Sequence, residues 1–208
     1  MQARDIMSNP VVTVTPDTTV KDAAELLASN GFTALPVVGA DGGLAGVVTE
    51  ADVVRDRFPR DPRYDVTEHN LPFAEKTTRA PGTTVGEVMT APAMIAGVDT
   101  DVVELVTAML KNPVPSLPIV DGSRLVGVVT RRDLVRVLAR EDKAISNDVR
   151  HQLEMYGAPY RWTVAVRDGA VAITDEFDSA TDRHVATVLA EAVHGVTSVT
   201  VASASSND

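Results

Sequence analysis

The sequence predicts an α+β protein: two copies of a β-α-β-β-α unit, followed by a smaller α-β-β-α-β domain. The first observation is a repeat, since GVVTEADVVR at residues 46–55 returns as GVVTRRDLVR at residues 127–136 with seven of ten positions identical. The second is that helical and strand periodicities follow the same order around both stretches. The third is a new pattern after residue 140. We expect repeats at 1–57 and 84–140, an insertion at 58–83, a C-terminal domain at 141–203 and a disordered tail at 204–208.

The repeat extends well beyond these ten residues. Asp5–Pro10 matches Glu87–Pro92, and Ala34–Val38 matches Ser116–Val120, both at an offset of 82 residues. A one-residue deletion in the following turn changes the offset to 81. Because a unit of about 55 residues is marginally stable alone, we expect the two copies to pack together as one domain.

Each copy opens with a short strand, predicted at 11–14 and 93–96. A helix follows, with apolar residues at i, i+3, i+4, i+7 and i+8. These are Val20, Ala23, Ala24, Leu27 and Ala28 in the first copy, and Val102, Leu105, Val106, Met109 and Leu110 in the second. Gly31 is predicted to end the first of these helices. Two strands on either side of a Gly-containing turn come next, at 35–38 and 44–48 and at 117–120 and 125–129, and then a final helix.

The final helix of each copy starts with the pattern T-x-x-D, formed by Thr49 and Asp52 and again by Thr130 and Asp133. The threonine hydroxyl can accept the N–H of the third helical residue, whose carboxylate can accept the threonine N–H, as in a capping box. The same place suits a ligand, because a helix N-terminus favours a phosphate and a carboxylate can accept both hydroxyls of a ribose. Both interpretations use the same residues.

The order of an opening strand, a helix, an x-h-P-V-V strand, a turn and G-h-h-T-x-x-D (h, apolar) resembles the CBS domain, named for cystathionine β-synthase. The resemblance covers residues 3–140 apart from the insertion, and the family usually occurs as tandem pairs. It implies that the Thr/Asp pair binds the ribose-phosphate of AMP, ADP, ATP or S-adenosylmethionine, and that the proline strand lines the base pocket. The implicated residues are Thr15, Thr33, Ala34, Pro36, Thr49 and Asp52 in one site and Ser116, Pro118, Thr130, Arg131 and Asp133 in the other.

The two sites are not expected to be equal. The first copy has Thr15, a feature common in the family near the adenine pocket, where the second copy has Gly97. Conversely, Arg131 follows the second threonine whereas Glu50 follows the first. We expect a phosphate to favour the second site and to be disfavoured beside Glu50.

The insertion at 58–83 contains four prolines and mixed charge, which predicts an irregular excursion. His69 and the triplet Leu71-Pro72-Phe73 could pack it onto the body, as a lid over one site or a cover on a neighbouring subunit. A loosely ordered linker is the alternative.

The segment 141–203 predicts a helix with Ile145, Val149 and Leu153 on one face, and then a hairpin of alternating strands around Asp168-Gly169. A second helix and a strand at 196–201 complete α-β-β-α-β. V-x-V-x-D-G-x-V at 164–171 and G-V-x-x-V-x-V at 195–201 are similar to the BON domain, a module of bacterial envelope and stress proteins. Family members usually have a glycine after the second strand, where Thr174-Asp175-Glu176 stands here. The resemblance implies a bacterial CBS/BON arrangement.

The composition excludes several function classes. The formal net charge of −10 disfavours nucleic acid polymers as partners, and the chain has no cysteine for disulfides, thiolate metal sites or a cysteine nucleophile. No apolar run is long enough to span a bilayer and no leader pattern is present, so we expect a cytoplasmic protein. The four histidines show no metal-ligand spacing and no catalytic motif appears, so we expect neither an enzyme nor a required cofactor.

Three functional hypotheses remain. The first is a regulatory sensor of adenosine nucleotides or S-adenosylmethionine that passes ligand occupancy to a partner protein through the BON-like domain. The second is a ligand-free scaffold in which the Thr/Asp pairs act only as caps. The third is a peripheral membrane adaptor that works through the tail, although cations are not clustered there. The family resemblance implies a homodimer.

Overall fold

The repeated pattern folds into repeated elements. The computed structural model describes residues 1–58, 81–157, 160–177 and 179–204, so most of the predicted insertion, including His69 and Leu71-Pro72-Phe73, lies outside the described residues. The first copy contains α1 (Ala3–Ile6), α2 (Val20–Asn30), β1 (Ala34–Val38), β2 (Leu44–Thr49) and α3 (Glu50–Val54). The second contains α4 (Val85–Val88), β3 (Ala96–Gly97), α5 (Val102–Lys111), β4 (Ser116–Asp121), β5 (Arg124–Thr130) and α6 (Arg131–Leu138).

The local signals for helix and turn are confirmed. The Thr19 hydroxyl accepts the Asp22 N–H at the start of α2, and Gly31 ends that helix with a positive φ of 63°. Between β1 and β2, the Asp41 carboxylate accepts the Gly43 N–H at 3.1 Å and stabilises the predicted turn. These features depend on neighbours in sequence, which explains why they could be predicted.

The opening strands are shorter than predicted, and each copy begins with a short helix that was not predicted. In the first copy, Val14 alone forms a parallel bridge, to Val37, and in the second the strand is only β3. Pro10 and Pro16 flank Val14 and have no N–H to donate, which limits pairing on this edge. Helices α1 and α4 precede these segments.

Strand β2 of the first copy pairs with the segment that opens the second copy, and the converse pair also forms. Val47 donates to the Thr90 carbonyl at 3.0 Å and accepts from the Thr90 N–H at 2.9 Å. Ser8 and Val128, the matching positions, exchange the same two bonds at 2.9 and 3.2 Å. The backbone pairing therefore follows the internal repeat of the sequence.

The chain divides into two compact units. One contains residues 8–98 and 109–128, with the antiparallel pair β1-β2 and most of the sheet ordered β3-β4-β5. Its core includes Leu35, Val37 and Val48 together with Val20 and Leu27 of α2. The other unit contains Met1–Met7, Asp99–Ala108 and the chain from Val129 onward, where α1 contacts α6.

The predicted α-β-β-α-β order of the C-terminal segment is confirmed. Its elements are α7 (Asp142–Tyr156), β6 (Trp162–Arg167), β7 (Ala170–Asp175), α8 (Ala180–Glu191) and β8 (Ser198–Ser203). The sheet has the order β6-β7-β8, and Ile145, Val149 and Leu153 of α7 are buried in its core, as predicted. Asp168 and Gly169 form the hairpin turn with positive φ angles of 51° and 75°. Both of their N–H groups donate to the Asp142 carboxylate, at 2.8 and 2.9 Å.

Candidate functional site

The residues predicted for the first site lie mainly at one end of the β1-β2 pair. Ala34 is opposite Thr49 and Pro36 is opposite Val47 in the antiparallel register. The Thr33 carbonyl accepts the Glu50 N–H at 3.1 Å, which joins the start of β1 to the start of α3. Pro36 is buried, and Thr33, Ala34 and Thr49 are half-buried. The structure thus places Thr33, Ala34 and Thr49 next to one another, and Asp52 one turn into the helix.

Thr15 is placed apart from this group. Val14 bridges Val37 in parallel, so Thr15 continues toward the Val38 end of β1, while Thr49 is opposite the other end. Four residues of strand separate the two ends, about 13 Å at 3.3 Å per residue. The Thr15 N–H and hydroxyl instead contact the Thr18 hydroxyl, at 3.1 and 3.2 Å.

The start of α3 is the predicted capping box. Asp52 Oδ2 accepts both the Thr49 N–H at 3.0 Å and the Thr49 hydroxyl at 2.7 Å, and the Asp52 N–H donates to Thr49 Oγ1 at 3.3 Å. The Asp52 side chain is 10% exposed. One carboxylate oxygen is therefore committed to the cap, and Oδ1 is the oxygen that a ligand could use.

An arginine one turn later approaches that remaining oxygen. The Arg55 guanidinium lies 3.7 Å from Asp52 Oδ1, an ion pair that is longer than a hydrogen bond, and the Arg55 side chain is 70% exposed. The sequence analysis did not assign this contact. Its signal was present, because both copies carry arginine three residues after the aspartate, the spacing at which helical side chains meet.

The second copy repeats the cap with tighter pairing. Asp133 Oδ2 accepts the Thr130 N–H at 2.8 Å and the Thr130 hydroxyl at 2.6 Å. Arg136 donates to Asp133 Oδ1 at 3.1 Å, so both carboxylate oxygens have partners. The Asp133 side chain is 8% exposed. The first aspartate is consequently the better placed of the two to accept ribose hydroxyls.

The other residues predicted for the second site lie on β4 and at the start of α6. Ser116 and Pro118 are buried in β4, in the unit that also contains β1 and β2. Thr130, Arg131 and Asp133 belong to the other unit. Arg131 is exposed, as is Glu50 at the matching position of the first copy.

Two further features were sought among the described residues: groups of metal-binding side chains and membrane-spanning helices. The described part of the chain contains no group of three or more histidine or acidic side chains placed to hold a metal ion. No helix among the described residues is both long enough and apolar enough to cross a membrane.

Known proteins are similar to this chain in sequence. The chain is 31% identical over 154 residues to the uncharacterized protein MJ1426 of Methanocaldococcus jannaschii, covering 66% of this chain and 91% of that protein. It spans 20% to 57% of the length of seven further curated relatives.

Solved structures of CBS pairs are also similar. The CBS domain pair of MJ0100, in complex with 5′-methylthioadenosine and S-adenosyl-L-methionine, is 26% identical with a TM-score of 0.52, covering 66% of this chain and 94% of that one. CBSX2 in complex with AMP is 28% identical with a TM-score of 0.51, covering 65% and 94%.

The CBS-domain family model matches residues 3–57 and 85–140. These two matches cover more than half of the 208 residues and coincide with the two copies of the internal repeat. The chain therefore belongs to the CBS-domain family and carries a tandem pair of CBS domains.

Proposed function

We propose that this protein is a regulatory sensor of an adenosyl ligand, namely AMP, ADP, ATP or S-adenosylmethionine, and that it has no catalytic activity of its own. The observation that carries the proposal is the duplicated Thr/Asp helix start, which in each copy follows a strand paired with the strand that carries the x-h-P pattern. The adenosyl compounds bound by the similar CBS pairs of MJ0100 and CBSX2 support the ligand class.

The first site offers distinct groups to such a ligand. Asp52 Oδ1 can accept a ribose hydroxyl, since the cap uses Oδ2 and Arg55 stays beyond hydrogen-bonding distance. Ala34 is half-buried and offers an apolar surface without a side-chain donor, next to the buried Pro36, which suits the face of an adenine ring. Thr33 and Thr49 complete the edge around them.

We propose that the C-terminal domain passes ligand occupancy to a partner protein. Helix α6 starts at the Thr130/Asp133 cap and leads to α7 through three residues, 139–141, within one unit. Arg140 in this connection donates to the His194 carbonyl at 2.8 Å and pairs with Asp148 at 2.7 Å. A ligand that shifts the start of α6 would therefore act on the C-terminal domain directly. The element order of that domain supports its assignment as a BON-like module.

Replacing Asp52 or Asp133 with asparagine is expected to weaken binding at the corresponding site at least about tenfold, because hydrogen bonds to a charged acceptor are the strong ones. Asparagine keeps one oxygen to accept the threonine N–H, so the cap is largely preserved. The measurement is isothermal titration calorimetry with AMP, ADP, ATP and S-adenosylmethionine, on protein from which co-purified nucleotide has been removed.

Asp22→Asn is the matched control. Thr19 and Asp22 form the same T-x-x-D pattern at the start of α2, a helix start that carries none of the predicted site residues, so this change should leave affinity unaltered. Parent protein that binds none of the four compounds would contradict the sensor. If Asp22→Asn and Asp52→Asn weakened ligand binding equally, the loss of affinity would instead come from reduced stability of the fold.

A ligand-free interaction scaffold is the second candidate. It is supported by Asp52 and Asp133, whose carboxylates already accept hydrogen bonds from the capping threonines without any ligand. Several large apolar side chains on the helices are exposed, each by half or more: Val54, Val103, Leu110, Val135 and Leu138. Such residues suit a homodimer interface, which we propose for either function, in the cytoplasm. The calorimetric titration separates the two candidates, because the scaffold predicts no adenosyl binding.

A further inference from the structure

The two helix starts differ in the charge of the residue that follows the threonine. Glu50 is the first residue of α3 and is exposed, whereas Arg131 is the exposed first residue of α6. Glu50 directly follows Thr49 and precedes Asp52 by two residues, so its charge belongs to the same helical turn as the aspartate that would accept the ribose. A negative charge here acts against a phosphate and not against an uncharged substituent.

The backbone and hydroxyl donors near Glu50 are also already used. The Glu50 N–H donates to the Thr33 carbonyl at 3.1 Å, and the Asp52 N–H donates to Thr49 Oγ1 at 3.3 Å. The Thr49 hydroxyl proton is directed to Asp52 Oδ2 at 2.7 Å. A phosphate needs such donors, so at this start it would have to replace existing hydrogen bonds, as it would at the second start, where Thr130 and Asp133 make the same bonds. The charge of Glu50 is therefore what separates the two starts.

The nearest cation does not reverse this balance. Arg55 is the residue after the last turn of α3, and its guanidinium is directed to Asp52 Oδ1, on the carboxylate that would accept the ribose. The helix start itself thus presents Glu50 and the Asp52 carboxylate, with Arg55 one turn away. A thioether or a sulfonium group is compatible with this environment, and a phosphate dianion is not.

We infer that the first site takes adenosyl ligands whose 5′ substituent is a thioether or a sulfonium and discriminates against adenosine phosphates, with Glu50 as the specificity-determining residue. The inference rests on the proposed function, since it assumes that Asp52 and the β1-β2 pair hold an adenosyl group. It goes further because it assigns different ligand classes to the two sites. The first site takes ligands with an uncharged or positively charged 5′ substituent, whereas Arg131 favours a phosphate at the second.

The test is calorimetry on nucleotide-free protein carrying Asp133→Asn, which weakens the second site, with adenosine, 5′-methylthioadenosine and AMP as probes. We expect adenosine and 5′-methylthioadenosine to bind at least about tenfold more tightly than AMP, because juxtaposed like charges are costly. Glu50→Lys should increase the affinity for AMP at least about tenfold and change the affinity for 5′-methylthioadenosine less than about threefold. Glu50→Gln should give an intermediate affinity for AMP. Raising the salt concentration should reduce the discrimination.

Glu25→Lys is the control for net charge. Glu25 is an exposed acid on α2 in the same unit, so this variant makes the same change in charge away from the helix start. The inference is overturned if AMP binds as tightly as 5′-methylthioadenosine while Glu50 is unchanged. It is also overturned if Glu25→Lys reproduces the effect of Glu50→Lys. Either result leaves the proposed function standing. If adenosine itself fails to bind, the inference and the proposed function fail together. A thermal melt of each variant confirms that it is folded.

Discussion

Replacing Arg161 with alanine is expected to lower the free energy of unfolding of the C-terminal domain by about 3–5 kcal/mol, the cost of leaving a buried charge without its partner. Arg161 donates to both oxygens of Asp175, at 2.8 and 2.7 Å, and to Asp182 at 2.7 Å. Asp175 is completely buried, so water cannot replace the lost guanidinium. The arginine also stacks 4.4 Å above the Trp162 ring, a contact that the variant loses as well.

The same network makes the stability depend on pH. Hydrogen bonds from Arg161 hold the pKa of Asp175 and of Asp182 below the ordinary value of 3.8. A carboxyl with a lowered pKa in the folded state stabilises the fold above its unfolded pKa and loses this contribution as the pH falls through its folded pKa. The difference between parent and Arg161→Ala should therefore be full at neutral pH and should shrink below about pH 4.

Urea unfolding monitored by tryptophan fluorescence measures this effect, because Trp162 is the single tryptophan of the chain. Far-UV circular dichroism gives an independent midpoint, since Arg161 contacts the fluorophore. Arg167→Ala is the control, since Arg167 is an exposed arginine on β6, the strand that follows Arg161, and should change stability by less than about 0.5 kcal/mol. Equal losses in the two variants would contradict the assigned role of the network.

Replacing Gly46 with alanine is expected to destabilise the paired CBS repeats by about 3 kcal/mol, at the upper end of ordinary overpacking. A Cβ at Gly46 would lie 2.6 Å from the Thr90 carbonyl oxygen and 3.0 Å from Met89 Sδ. The Thr90 backbone cannot move aside without breaking its two hydrogen bonds to Val47. The glycine of the G-h-h-T pattern is thus explained by the close approach of the other copy's opening segment.

Gly42→Ala separates this clash from backbone strain. Gly42 has a positive φ of 77° and open space around the position of a Cβ, so alanine there costs only the left-handed conformation, about 1–2 kcal/mol. Chemical denaturation of both variants should rank Gly46→Ala as the more damaging. The reverse ranking would argue against the close approach of the Thr90 segment.

The fold was predictable where the determinants are local. Gly31 and the hairpin at Asp168-Gly169 act through neighbours a few residues away, and each was found as expected. The opening strands were predicted to be longer than they are, because alternating apolar residues do not reveal that an edge strand pairs at a single position. The helices before them, α1 and α4, are only four residues long and carry no periodicity.

Helix faces were predicted less well than helices. Ala28 and Leu110, at the ends of the two predicted apolar stripes, are exposed. In α8 the small Ala186 and Ala190 are buried, whereas the larger Val188 is exposed. Small alanines let a helix approach a sheet closely, and hydrophobicity alone does not rank them above a valine.

The candidate site was predictable as a pair of caps but not in its charge balance. The T-x-x-D spacing specifies the capping box because all of its atoms lie within one turn. The bond from Glu50 to Thr33 and the different lengths of the two aspartate-arginine pairs depend on how strand and helix meet. The different lengths of the two aspartate-arginine pairs distinguish the two helix starts, and they required the structure.

The most direct measurement is a backbone amide NMR titration of nucleotide-free protein with 5′-methylthioadenosine and, separately, with AMP. The account predicts saturable shifts at the amides of Thr49 and Asp52 or at those of Thr130 and Asp133, while Thr19 and Asp22, the same pattern on α2, stay unchanged. The account would be contradicted if the protein were saturated with either compound and neither Thr/Asp helix start showed amide shifts. Equal shifts at Thr19 and Asp22 would contradict it as well.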